Sequence, residues 1–137
     1  MPNLETLRKG KPMKVLVVDD DKEVRDLVVA SLRELKNSPC IETADSGLNV
    51  EQKVNRIRPS LVILDLKLPG MHGMKICEKI KKSRHGKKIK ILVLTAYLTP
   101  GARETVMECG ADYCMEKPFG VLELAGVVEK LLAGGGT

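Results

Sequence analysis

Hydrophobic and polar positions along this chain fall into five rounds, each a short apolar run followed by an amphipathic stretch. The first run, Lys14 to Val18 (KVLVV), is apolar almost throughout and stops at three aspartates. From Lys22 to Lys36 the period lengthens, so that Val24, Leu27, Val28, Leu32 and Leu35 share one helical face. Asp21 is a suitable cap for that helix, because its carboxylate can accept a free first-turn N–H. Cys40 to Ala44 reads as a weaker strand, and a helix is expected from about Leu48 to Ile57. Pro59 turns the chain into Leu61 to Leu64 (LVIL), a third apolar run that also stops at an aspartate. Pro69 and Gly70 break the chain before a helix from about Gly73 to Arg84, and Ile89 to Leu94 forms the fourth strand. Pro100 opens a short helix reaching about Cys109, which Gly110 closes. Asp112 to Met115 is the fifth strand and Val121 to Leu132 the last helix.

Strands that are apolar on both faces must be covered on both faces, and amphipathic helices between them supply the cover. Right-handed crossovers then leave few alternatives to a doubly wound α/β sandwich with a parallel five-stranded sheet. The length of 137 residues suits one such domain. It is expected over residues 13–133, with an N-terminal extension at 1–12 and a loose glycine tail at 134–137.

Composition narrows the function. Apolar residues make up 43% and charged residues 30%, ordinary values for a globular chain. With no Trp, two Tyr and one Phe, the core is aliphatic and a platform for stacking nucleobases is not expected. No apolar run approaches the roughly 20 residues that cross a bilayer, and Met1 to Pro12 lacks the apolar stretch of a signal peptide. The expectation is a cytoplasmic protein with no membrane partner. Cys40, Cys77, Cys109 and Cys114 follow no metal-ligand spacing and read as reduced, mostly buried thiols, and His72 and His85 complete no zinc site. The net charge of +5 is concentrated between Lys75 and Lys90. A basic run of this kind is ordinarily a solvated helix end favoured by the helix dipole. Without aromatics or a helix-turn-helix unit, an acidic protein partner fits it better than nucleic acid.

The candidate chemistry lies at the carboxyl ends of the strands, where open parallel sheets place their functional crevice. Asp19, Asp20 and Asp21 follow the first strand, Asp65 the third, Thr95 the fourth, and Lys117 with Pro118 the fifth. Any one of these alone is an ordinary turn or cap residue. At four strand ends facing one crevice they constitute a site. Carboxylates that share a pocket repel, and a divalent cation relieves them. Mg²⁺, which takes oxygen ligands and bridges carboxylates to phosphate, fits. With a lysine and a hydroxyl beside it, the pocket holds the parts for phosphoryl transfer to a carboxylate nucleophile.

VLVVDDD at Val15 to Asp21, LVILDLKLPGMHGM at Leu61 to Met74, ILVLTA at Ile91 to Ala96 and GADYCMEKPF at Gly110 to Phe119 together resemble receiver domains of response regulators, of the single-domain type. The resemblance runs in order from about Met13 to Leu132. It implies a flavodoxin-like sheet of order 2-1-3-4-5 with five helices, as in the family's chemotaxis member. It also implies a two-component phosphorelay function. Asp65 then matches the phospho-acceptor, filled from a histidine kinase phosphohistidine, a phosphotransfer protein or a small donor such as acetyl phosphate. Asp20 and Asp65 match direct Mg²⁺ ligands, together with the backbone carbonyl of Lys67, and Asp19 matches the acid that reaches the metal through water. Thr95 matches the hydroxyl that bonds the phosphoryl group, Lys117 the lysine that pairs with it, and the Lys117–Pro118 bond is expected to be cis. The domain catalyses its own phosphorylation and dephosphorylation and acts on a downstream protein target. No attached DNA-binding domain is expected after the last helix.

Two features depart from the family's frequent pattern. Cys114 stands where a switch aromatic often does, with Tyr113 one residue earlier and so on the opposite strand face. His72 replaces a frequent Asp. Lys67 and Tyr97 occupy the two positions that tune hydrolysis, and their bulk is expected to hinder attacking water and prolong the phosphorylated state. Two rival readings fit parts of the same pattern. In one, Asp19-x-Asp21 and Thr95 resemble a haloacid-dehalogenase phosphohydrolase with Asp19 as nucleophile, which leaves Asp65 unexplained. In the other, the domain is a receiver-like binding module that is never phosphorylated, although every acceptor-site residue is present.

Overall fold

The computed structural model describes residues 13–48, 50–66, 71–96 and 98–133. Residues 1–12 and 134–137, Lys67 and Tyr97 lie outside the described residues, and so do the expectations placed on them. Among the described residues the chain forms five strands, β1 Lys14–Val18, β2 Cys40–Ala44, β3 Leu61–Leu66, β4 Lys90–Thr95 and β5 Tyr113–Glu116. Five α-helices alternate with them, α1 Lys22–Arg33, α2 Val50–Ile57, α3 Met71–Lys82, α4 Pro100–Glu108 and α5 Val121–Leu132. The strands make one parallel sheet in the order β2-β1-β3-β4-β5, which is the expected doubly wound topology.

Strand periodicity sorts the core into two layers. Leu16, Val18, Val62, Leu64, Ile91, Val93 and Cys114 face α2, α3 and α4, where Val54, Ile80 and Val106 close over them. Val15, Val17, Leu61, Ile63, Leu92, Leu94 and Met115 face α1 and α5, against Val28, Leu32, Leu124 and Val128. The central strands are buried on both faces, as their unbroken apolar runs require. Edge strand β2 is mostly exposed, which explains its weaker pattern.

Several boundaries differ from the sequence reading, each for a local reason. Helix α1 ends at Arg33 rather than Lys36, where a turn leads to the buried Pro39. Its buried stripe is Val28, Ser31 and Leu32; Leu27 is exposed, and the Ser31 hydroxyl donates to the Leu27 carbonyl. Strand β3 runs two residues further than LVIL, because Asp65 and Leu66 continue the ladder opposite Leu94 and Thr95. The phospho-acceptor candidate therefore sits within the strand and not after it. Helix α3 runs from Met71 to Lys82, two residues earlier at both ends than expected, and a 3₁₀ turn at Gly86–Lys88 follows.

The cysteine expectation needs correcting. Cys77 and Cys114 are buried, but Cys109 is half-buried and Cys40, at the exposed start of the edge strand, is open to solvent. Burial pushes the Cys77 thiol up to about 12 and raises Cys109 and Cys114 as well, so these three are held as unreactive thiols.

The amino ends of β4 and β5 are tied by a polar clamp. Lys81 donates to the Ile89 carbonyl at 2.6 Å and to Asp112 Oδ2 at 2.8 Å, and that same oxygen accepts the Ile91 N–H at 2.8 Å. Gly86 passes directly over this helix end, and a Cβ there would collide with the backbone carbonyls of Ile80 and Lys81. Gly126, inside α5, has open space at its Cβ position. Urea melts are expected to show Gly86→Ala destabilised by about 1–3 kcal/mol, the usual cost of forced overpacking. Gly126→Ala, in the same measurement, should gain about 0.5–1 kcal/mol from helix propensity.

Candidate functional site

The three consecutive aspartates after β1 separate into three environments. The Asp19 N–H donates to the Ala44 carbonyl of β2 at 3.0 Å, which carries the sheet geometry one residue past the strand. Its side chain turns inward and is 1% exposed, and its Oδ1 accepts the Asp21 N–H at 2.8 Å. Asp20 is exposed at the mouth. Asp21 caps α1 as expected, accepting the Glu23 N–H at 2.9 Å.

Asp65 approaches from β3 with its side chain 2% exposed. Carboxylate oxygens of Asp19, Asp20 and Asp65 all lie within 4.8 Å of one another, the cluster among the described residues that is suited to a cation. Lys117 enters from the end of β5, its backbone N–H donating to the Thr95 carbonyl at 2.8 Å. Its ammonium lies 2.5 Å from Asp65 Oδ1 and 3.8 Å from Asp19 Oδ2. The Lys117–Pro118 bond is cis. Thr95 ends β4 opposite Leu66, next to the Asp65 pairing position, and is fully buried. Thus Asp19, Asp20, Asp65 and Lys117 come together, Thr95 lies one strand across, and Lys67 lies outside the described residues.

The sequence reading passed over Arg25. From the second turn of α1 its guanidinium donates to the Asp19 carbonyl at 2.7 Å, pinning the loop that carries the acids. On the sequence it is one more charged helix residue, and only its four-residue offset from the cap at Asp21 hints that it can reach back.

The electrostatics are unbalanced. Among the described residues, Asp19 Oδ2 and Asp65 Oδ1 are buried without a hydrogen-bond partner, although the Lys117 ammonium lies near both. Burial, reinforced by the neighbouring Asp65, raises the Asp19 carboxyl from 3.8 to about 7, against the opposing pull of the Asp21 N–H and Lys117. Buried orphaned oxygens are rare, and a bound cation accounts for a pair of them. Hard carboxylate donors of this kind suit Mg²⁺. Asp21, turned outward as a cap, is not part of the cluster, so the Asp19-x-Asp21 pair of the phosphohydrolase reading does not assemble.

A doubly wound sheet with carboxylates and a lysine at its carboxyl ends defines the class, and comparison with known proteins identifies the family. Residues 15–129 match the family model described as response regulator receiver domain. The response regulator MprA of Mycobacterium leprae is 34% identical over 120 residues, covering 88% of this chain and 51% of that protein. The chain thus spans about half the length of the curated relatives it matches. Chemotaxis protein CheY4 of Vibrio cholerae superposes with a TM-score of 0.77 at 27% identity, covering 88% of this chain and 98% of that one. The BeF3-activated receiver domain of DrrB, a response regulator of Thermotoga maritima, gives 0.74 at 29% identity, over 89% and 98%. This chain belongs to the response-regulator receiver family of two-component signalling. Among the described residues no helix is long and apolar enough to cross a membrane.

The raised Asp19 carboxyl has a definite sign. In metal-free protein the folded state holds a proton that the unfolded state has released between pH 3.8 and about 7. Stability contributed by this group therefore falls as pH rises through that window. Thermal melts in chelator are expected to show wild type losing Tm from pH 4.5 to pH 7.5 relative to Asp19→Asn, with the variant the more stable at the upper end.

Proposed function

We propose that this domain takes a phosphoryl group onto Asp65 from a phosphohistidine of a histidine kinase or phosphotransfer protein, in a Mg²⁺-dependent reaction. The observation that carries the reading is the buried Asp65 carboxylate, clustered with Asp19 and Asp20 and paired with Lys117. Asp20 and Asp65 would hold the ion directly, with the Lys67 carbonyl as a third protein ligand and Asp19 acting through water. When bound, Mg²⁺ supplies charge neutralisation that lets an anionic carboxylate meet an anionic phosphoryl group.

An Asp65 carboxylate oxygen attacks phosphorus, the bond from phosphorus to the donor imidazole nitrogen breaks, and the imidazole, protonated on its other nitrogen, leaves as a neutral ring. The product is an acyl phosphate, and attack of water on its phosphorus restores the carboxylate and releases inorganic phosphate. Lys117 shifts its ion pair from the free carboxylate to the added phosphoryl oxygens, and the Thr95 hydroxyl donates to one of them. Drawing in Thr95 pulls on the end of β4 and so on the face built by α4, β5 and α5. On that face Cys114 replaces an aromatic rotor. It is buried, with its Sγ 3.8 Å from Met107 Sδ of α4, while Tyr113 points out of the opposite side. Output thus passes through repacking of a small buried thiol against α4, and is read by a downstream protein.

Incubation with acetyl phosphate and Mg²⁺ is expected to give one phosphoryl adduct by intact mass, absent from Asp65→Asn and absent in chelator. Lys117→Ala should slow adduct formation on the order of 10²-fold, as when one charge-stabilising donor is lost. An adduct that survives in Asp65→Asn would defeat the reading. Decay of the adduct, followed without a phosphatase, should accelerate in Lys67→Ala and Tyr97→Ala; unchanged decay would remove these residues from control of its lifetime.

A further inference from the structure

The end of the domain opposite the acidic site carries the reverse charge. Residues 75–90 hold eight Lys or Arg and one Glu, a local net charge of +7 in a chain whose total is +5. Lys75, Lys79 and Lys82 follow one another at i, i+4 and i+7 and are all exposed, so they form a cationic stripe about 10 Å long on α3. Arg84, Lys87 and Lys88 extend it into the 3₁₀ turn. The half-buried His85 is held below the usual imidazole range, first by desolvation and then by Arg58, Arg84 and Lys88, so Arg58 of the loop after α2 joins the same patch. Among the described residues, no acid forms an ion pair with Lys75, Lys79, Lys82, Arg84, Lys87, Lys88 or Arg58, whereas Lys81 is consumed by Asp112. A helix C-terminus carries only about half a negative charge. The stripe exceeds that charge.

An apolar groove of ≈ 270 Å³ lies beside it, between α2 and α3. Leu48, Val50, Ile76 and Ile80 line it, and Lys79 and Glu51 are the charged residues at its rim. Leu48 is 76% exposed, the largest exposure of any large apolar side chain described. Lys79 belongs to both features, so one ligand spanning them must be anionic and must also carry apolar side chains. A nucleic-acid backbone satisfies the stripe but has nothing to fill the groove, and no exposed aromatic here offers a stacking surface.

We propose that the α2–α3 groove and the α3 stripe together are a docking surface for an acidic protein segment bearing at least one large apolar side chain. That side chain enters between Leu48 and Ile76, and Asp or Glu residues along the same segment lie over Lys79, Lys82 and Arg84. Leu48 follows β2 and Ile76 lies in the first half of α3, so the groove is toward the carboxyl end of the sheet, and the basic stripe runs from it to Arg84, Lys87 and Lys88 at the amino end.

The test is selection of a displayed random peptide library on the full chain, followed by anisotropy titrations of the enriched peptide and of a short DNA duplex. Enriched peptides are expected to combine clustered Asp or Glu with a Leu, Ile or Phe, and to shift NMR resonances of α2 and α3. Affinity should fall at least about tenfold in Lys79→Glu/Lys82→Glu and in Leu48→Ser, and fall with salt as charge contacts do. All three side chains are exposed and lie outside the acidic site, so both variants should fold and form the adduct with acetyl phosphate as wild type does. No enrichment over the Leu48→Ser protein would overturn the proposal. Duplex DNA binding more tightly than any peptide, and indifferent to Leu48→Ser, would overturn it in favour of a polyanion surface.

Discussion

Two carboxylates buried side by side at the end of a hydrophobic sheet repel each other and have lost most of their water. Among the described residues, the Lys117 ammonium relieves this repulsion in part for Asp19 and Asp65. The rest of the structure is arranged to maintain it. β1 and β3 are adjacent central strands, so their ends cannot separate. The Asp19 backbone is tied to β2 through Ala44 and to α1 through Arg25, and Lys117 is tied to β4 through the Thr95 carbonyl. A site held in this state favours a cation or a proton, because either relieves the same repulsion.

Charge is polarised along the sheet direction. The acids cluster at the carboxyl ends of the strands, while Arg58, Lys82, Arg84, Lys87 and Lys88 crowd the amino ends. Parallel topology makes this possible, since every loop before a strand falls at one end of the molecule and every loop after a strand at the other. The basic stripe of the proposed docking surface runs along α3 toward the amino end, on the outside of one of the two aliphatic layers that cover the sheet.

The elements were largely legible in the sequence because their signals are local. Apolar runs marked the central strands, Asp21 and Pro100 marked helix starts, and Gly110, with a φ of 110°, marked a helix end that favours glycine. The errors arose where tertiary contacts override local pattern. Leu27 has the right spacing for the core but lies on the flank of α1, where Ser31 takes the buried position by bonding its hydroxyl to the helix backbone. Asp65 looks like the end of a strand because it is charged, yet its backbone continues the ladder because β4 runs beside it. Cys40 has a residue type that favours burial, but an edge strand leaves it in solvent.

The sequence by itself determined that this would be a covered parallel sheet and which residues would stand at its strand ends, because side-chain periodicity and turn chemistry act over a few residues. Its motifs were specific enough to place it in the receiver family. The tertiary structure decided what proximity decides. It selected Asp19 and Asp65 for burial and Asp21 for the cap, brought Arg25 onto the Asp19 carbonyl, paired Lys81 with Asp112, and left Lys75, Lys79 and Lys82 without an acid partner among the described residues. Burial and charge pairing depend on neighbours that are distant along the chain, and only folding determines which those are.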